Sequence, residues 1–374
     1  MKRIFAAILA VFMVFTLAAC GNTGQGSSEA SSETESGTSQ LEKISKEDLK
    51  VGFLYMGKID DRGYNEAHDQ GRIMYNDMGI KTAYRENILT EEACTQAVRE
   101  LIDQEGCNVI YSTSTSIAAP VEKIAKEYPK VYFEQCATNQ TDTNLSSYFG
   151  RLYEVRYLSG IAAAKKTDTN HLGYVAAFPN AEIIRSINAF TLGARSVNPD
   201  VKVEVIYTNT WADADKERQA ATTLIDRGAD VLTQSQDTTT TQIVAQERGV
   251  FSIGQNYTAY DVAPDAYLTG VLFDWKEYYG KDIEKIMDGT WTPSFYWGSL
   301  KDGVVKMDTF ASFSGFGTRE AVEQAESKLI SGEIQPFTGP LKDQSGTVRV
   351  ADGVKMTDDQ IWNMDWLLEG VIVL

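Results

Sequence analysis

The side chains best equipped for chemistry in this sequence are aromatics and carboxylates that stand where short apolar runs give way to polar ones. Tyr64 follows Gly63 soon after the run Val51–Tyr55, and Trp211 follows the run Val201–Tyr207. Two flat rings supplied by separate elements can stack on the two faces of a planar ligand. Glu134 ends the run Val131–Glu134, Glu182 follows the Pro179-Asn180 turn, Asp237 ends the switch Val231-Leu232-Thr233-Gln234-Ser235-Gln236-Asp237, and Asp274 follows Leu272-Phe273. A shielded carboxylate accepts hydrogen bonds from ring or exocyclic N–H groups and disfavours anions, so this set selects an uncharged nitrogenous ligand over phosphate, sulfate or carboxylate. The amides Asn65, beside Tyr64, and Gln255, after the run Val250–Gly254, complete a ligand-binding set of Tyr64, Asn65, Glu134, Glu182, Trp211, Asp237, Gln255 and Asp274. For Asp237 a second role stays open, because four threonines follow it and Asp is a common helix cap.

Other chemistries are poorly provided for. The chain has only two histidines, His68 and His171, too few for a multi-histidine metal centre. Neither adjoins a loop-borne Ser or Cys, and both are read as surface or supporting residues. The stretch Gly52-Phe53-Leu54-Tyr55-Met56-Gly57-Lys58-Ile59 approaches a phosphate-binding loop but has Ile59 where a hydroxyl should hold magnesium, and its apolar interior is a strand. No catalytic residue, metal or cofactor is expected. Cys94, Cys107 and Cys136 lack the number and spacing of a disulfide framework and read as buried apolar groups. A net charge of −17 argues against a nucleic-acid partner.

The elements that must position this set form an α/β alternation of short apolar runs and amphipathic stretches. Runs at Val51–Tyr55, Lys81–Arg85, Asn108–Ser112 and Val131–Glu134 are echoed by Leu172–Val175, Val201–Tyr207, Asp230–Gln234 and Val250–Gly254. The two series keep step: 58 residues separate Val51 from Val109, and 59 separate Leu172 from Val231. Leu101-Ile102-Asp103-Gln104-Glu105-Gly106-Cys107-Asn108-Val109-Ile110 also resembles Leu224-Ile225-Asp226-Arg227-Gly228-Ala229-Asp230-Val231-Leu232, one residue shorter. Two Rossmann-like lobes with parallel sheets are expected, with strand-end loops facing each other across a hinged ligand cleft. That arrangement resembles the type I periplasmic-binding-protein fold. The expected lobes are 41–149 plus about 271–300, and 150–270 plus about 301–374.

At the amino end, Lys2 and Arg3 precede uncharged, mostly apolar residues from Ile4 to Ala19, the pattern of a signal peptide over 1–19. Leu17-Ala18-Ala19-Cys20-Gly21 resembles a bacterial lipobox, which implies lipidation of Cys20. The Ser-, Gly-, Thr- and Glu-rich stretch through Gln40 lacks the apolar residues to fold and reads as a flexible tether over 20–40. Together these place the globule at the outer face of a cytoplasmic membrane.

Specific segments carry a family resemblance. They include Tyr148-Phe149-Gly150-Arg151-Leu152-Tyr153-Glu154-Val155-Arg156-Tyr157, Glu182-Ile183-Ile184-Arg185-Ser186-Ile187-Asn188-Ala189-Phe190, Asn209-Thr210-Trp211, Asp288-Gly289-Thr290-Trp291 and the tail from Phe337 to Gly346. Over Lys50–Leu374 the chain resembles the basic membrane protein family of substrate-binding lipoproteins. The resemblance implies a purine base or nucleoside as ligand and an ABC transporter permease as partner. The nucleoside branch has a Lys just after the strand matching Leu268–Leu272, where this chain reads Phe273-Asp274-Trp275, so an adenine-like base is favoured and Asp274 stands in for the sugar contact. The opening-loop motif is kept as Asp61-Arg62-Gly63-Tyr64-Asn65, which implies that Tyr64 stacks on the base while Trp211 and Asp237 shape the opposite wall. A sugar or signalling molecule on the same fold, or a transporter-independent surface sensor, remains the alternative.

Overall fold

A computed structural model describes residues 41–374; the expected leader over 1–19, the expected lipidation at Cys20 and the expected tether over 20–40 lie outside the described residues. Strands and helices alternate as β1 (Lys50–Leu54), α1 (Tyr64–Asp77), β2 (Lys81–Arg85), α2 (Glu91–Arg99), β3 (Val109–Ser112), α3 (Ala118–Ala125), β4 (Tyr132–Cys136) and β5 (Leu145–Gly150). After α4 (Leu152–Lys166) the alternation restarts with β6 (His171–Ala176), α5 (Ala181–Val197), β7 (Lys202–Tyr207), α6 (Ala214–Asp226), β8 (Val231–Ser235), α7 (Thr240–Arg248), β9 (Phe251–Gln255) and β10 (Tyr267–Phe273). Then come α8 (Trp275–Asp288), β11 (Phe295–Gly298), β12 (Val305–Met307), α9 (Thr318–Ser331), a short hairpin of β13 (Leu341–Lys342) and β14 (Val348–Val350), α10 (Asp358–Trp362) and β15 (Val371–Val373).

Two sheets result, ordered β2-β1-β3-β4-β5-β11 and β15-β7-β6-β8-β9-β10-β12. Every pairing in them is parallel except that of β10 with β12. Strands such as β3, β4, β6 and β8 are buried along their whole length, which is why none of them alternates apolar with polar residues. The order β2-β1-β3-β4-β5 recurs as β7-β6-β8-β9-β10, so the duplication legible in the spacing is a duplication of topology. Backbone conformation repeats as well. Asn87 and Asn209 each stand two residues past the equivalent strands β2 and β7 with φ of 59° and 55°, and Ala137 and Asn256 each follow β4 and β9 with φ of 62° and 65°. Such left-handed non-glycine residues cost energy and gather at functional loops.

The chain passes between the sheets three times, from β5 into α4, from β10 into α8, and from β11 to β12. Each passing helix packs on the lobe it enters: α8 lies beside α1, and α4 beside α5, α9 and β10. Twelve of the fifteen residues of α4 are buried. Its crossing with α5 is closest where Gly160 faces the Phe190 carbonyl and Gly193 faces the Tyr157 carbonyl, leaving no room for a Cβ at either point. Reversal of strand order between β1 and β3, and again between β6 and β8, places a crevice at the carboxyl end of each sheet.

One expectation is corrected here and another narrowed. β4 runs on to Cys136, so Glu134 sits mid-strand and not at the strand end. Of the two roles open to the histidines, a surface place is excluded and a supporting one remains: His68 is fully buried beneath Tyr64 and α8, and His171 is nearly buried.

Candidate functional site

The loop after β1 is shaped by Asp61, whose carboxylate accepts hydrogen bonds from the backbone amides of Gly63 (2.9 Å), Asn65 (3.0 Å) and Glu66 (3.0 Å). This turn starts α1 and delivers Tyr64 to the switch point between β1 and β3. The Tyr64 hydroxyl donates to the Thr113 carbonyl beyond β3 (2.8 Å) and lies 3.4 Å from Cys136 Sγ. Its ring stands edge-on to His68 at 4.6 Å and to Phe273 at 6.5 Å. His68 in turn stacks on Trp275 at 4.4 Å and shares a 2.6 Å hydrogen bond with the Tyr279 hydroxyl. The ring position is therefore fixed from behind by the aromatic interior of the first lobe.

From the second lobe, Asn180 caps α5 by accepting from the Ile183 amide at 3.0 Å, and Glu182 falls in its first turn. The Glu182 carboxylate accepts no hydrogen bond from the described residues. Burial pushes its pKa up, against the opposing pull of the Arg185 and Arg156 guanidiniums. Its charge is felt by Tyr64 and Cys136 in one lobe and by Asp237 in the other, which sets it between the sheets.

Asp237, after β8, donates its amide to the Trp211 carbonyl (2.9 Å) and accepts from Asn256 Nδ2 (3.3 Å). Burial and then the nearby carboxylates of Asp61, Glu182 and Glu217 hold its pKa well above the usual range. It does not cap α7, whose N-cap is Thr239. Trp211 packs against Phe178 with ring centres 5.6 Å apart, and among the described residues it makes no ring contact with Tyr64. The Gln255 side-chain oxygen Oε1 accepts from Arg156, which also donates to Thr233 Oγ1 (2.9 Å) and Ser235 Oγ (3.2 Å).

The remaining sequence-derived residues are engaged elsewhere. Asn65 ties its own loop, donating to Asp61 at 2.6 Å and accepting from the Gly57 amide at 3.3 Å. Glu134 accepts from the Tyr278 hydroxyl (2.6 Å) and Trp291 Nε1 (2.7 Å) inside the first lobe. Its pKa is raised by burial and by Asp282. Asp274 is paired with Lys306, which comes from β12, at 2.6 Å. Thus Tyr64, Glu182, Trp211, Asp237 and Gln255 belong to the strand-end walls, while Glu134 is tied inside the first lobe, Asn65 within its own loop and Asp274 to Lys306.

Sequence reasoning missed Arg156. It is fully buried, with its guanidinium 5.4 Å from the Tyr174 ring centre. The available signal was a cation standing between the apolar positions Val155 and Leu158, well before the two lysines that end the helix.

The arrangement is poorly suited to bond-making chemistry. Cys136 Sγ lies 3.9 Å from His68 Nε2, but burial pushes the thiol up and pulls the imidazole well down, so both stay neutral and no thiolate forms. No group of potential metal ligands occurs among the described residues. Across the mouth of the crevice the lobes touch: Arg62 pairs with Asp261, and Gly63 lies against the Asp237 carbonyl.

Two duplicated sheets with facing strand-end loops and an unpartnered carboxylate between them define a two-lobed solute-binding protein. The chain belongs to the family of PnrA-like ABC transporter substrate-binding proteins, whose model matches residues 48–336. A purine-binding protein of Brucella abortus is 37% identical over 329 residues, covering 87% of this chain and 93% of the relative. A Haloferax volcanii protein carrying the name of an ABC transporter glucose-binding protein is 34% identical over 295 residues, covering 78% and 75%. Among solved structures, a solute-binding protein from Aeropyrum pernix superposes with a TM-score of 0.67 at 18% identity, covering 86% of this chain and all of that one.

Proposed function

We propose that this protein captures a purine base, adenine-like rather than ribosylated, and delivers it to an ABC transporter permease. The observation that carries the reading is the Glu182 carboxylate, half-buried at the start of α5 and without a protein donor. A ring or exocyclic N–H would supply that donor, and a buried charge left without one is costly. Tyr64 and Trp211 then stack on the ligand from opposite lobes, and Asp237 offers a second acceptor. The name of the Brucella relative supports the same class. Binding closes the lobes about the three crossovers, taken as the boundaries of 41–149 plus about 271–300 and of 150–270 plus about 301–374, and the closed form docks on the permease. In this reading lipid on Cys20 and the tether over 20–40 hold the globule at the extracytoplasmic membrane face, and the protein does no catalysis. Among the described residues no helix is long and apolar enough to cross a membrane.

A thermal-shift panel of adenine, adenosine and glucose tests the reading. A ligand at a hundred times its Kd stabilises by about 2.7 kcal/mol, a rise of several degrees. A shift with adenine above that with adenosine is expected. A shift with glucose alone, as the name of the Haloferax relative suggests, would overturn it.

A further inference from the structure

We infer that Arg62 is a positioning residue for solute capture, fastening the loop after β1 to the loop after β9 over the mouth of the crevice and so setting the rate of release. Four observations converge on it. Arg62 has φ of 55°, the left-handed region, where a non-glycine residue is strained. The strain is held by its surroundings: the Asp61 carboxylate gathers the following amides, and Glu66 accepts from the Arg62 amide at 3.1 Å. The guanidinium so aimed pairs with Asp261 of the other lobe and lies 5.5 Å from the centre of the Tyr257 ring. Asp261 and Tyr257 both follow β9, so these two contacts of one guanidinium join the same pair of loops.

Beside this pair, Gly63 presses on the Asp237 carbonyl so closely that any Cβ would collide with it. Arg62 and Asp261 have side chains 40% and 53% exposed. They therefore stand at the rim, outside the buried carboxylates, and do not need to touch the ligand. Contacts of this kind form only after the lobes have come together. They act on dissociation and leave association nearly unchanged. An exposed ion pair with one cation–π contact is worth about a three- to tenfold change in rate, and salt weakens it.

The inference rests on the capture-by-closure reading, and its test separates the two. Adenine release is followed by stopped flow for the full chain and for Arg62→Gln, Asp261→Asn and the double variant. Each single substitution should speed release about three- to tenfold, with association within about twofold of the unsubstituted protein. The double variant should release no faster than the faster single one, and the differences should shrink in 1 M salt. Unchanged release in both single variants, or a double effect equal to the product of the single effects, would overturn the assignment. Should adenine not bind the unsubstituted chain, the purine reading falls by itself, and the latch is judged by small-angle scattering of the ligand-free proteins. There a more open Arg62→Gln supports it, and superimposable profiles reject it.

Discussion

Replacing Glu182 by Gln separates a ligand-reading role from a structural one, because the two predict opposite signs. Glu182 is half-buried, its carboxylate accepts no protein hydrogen bond, and desolvation raises its pKa. In the ligand-free protein an acid of this kind favours the folded state while protonated. Its contribution is complete below the unfolded pKa of about 4.3 and is lost as pH rises through the higher folded value. A Gln at this position carries no charge to bury, so the ligand-free variant should melt above the unsubstituted protein at pH 7. Binding should move the other way. A hydrogen bond from a ligand N–H to a charged acceptor contributes about 1.5–3 kcal/mol, so affinity should fall roughly 10- to 150-fold. Adenine affinity of the unsubstituted protein should also weaken as pH drops through the Glu182 transition, a limb that Glu182→Gln abolishes. Calorimetric titration from pH 5 to 8, with a melting curve at each pH, measures both. Unchanged affinity with an unchanged pH profile would refute the assignment, and a lower melting temperature without ligand would mean that Glu182 is structural.

Tyr64→Ala or Trp211→Ala should each weaken adenine binding about 10- to 100-fold in the same calorimeter, because each removes a stacking face and its buried area. Glu134→Ala should leave affinity within about twofold yet lower stability by about 2–4 kcal/mol in urea unfolding, since Tyr278 and Trp291 lose their shared acceptor. Gly193→Ala forces a methyl group against the Tyr157 carbonyl. It should cost about 1–3 kcal/mol of stability by the same measurement.

The parts of the fold legible from sequence were those governed by burial on both faces. Runs such as Leu172–Val175 contain little that is polar, and each became a strand with at most two residues' error. The matching intervals exposed the duplicated topology for the same reason. Less legible were contacts set by three-dimensional neighbours. Whether Glu134 ended its strand depended on Gln135, polar by name but fully buried, and the boundary fell short there. That Lys306 meets Asp274 from an antiparallel strand 32 residues later has no local signature. Whether His68 was a surface or a supporting residue stayed open because its burial comes from Trp275 and Tyr279, which return to the first lobe only after β6 to β10.

That late return bears on how the protein can be made. The sixth strand of the first sheet, β11, and the helix that supplies Tyr278, Tyr279 and Asp282 to its interior follow all five β6–β10 strands in the chain. A nascent chain that has emerged only as far as β5 carries an unpaired strand edge and an open apolar face, the features that promote aggregation. The lobe that begins first is thus completed only once Gly298 has emerged, and truncation before that point should leave neither lobe a stable fragment. Synthesis and secretion must handle the two halves as a single cooperative unit.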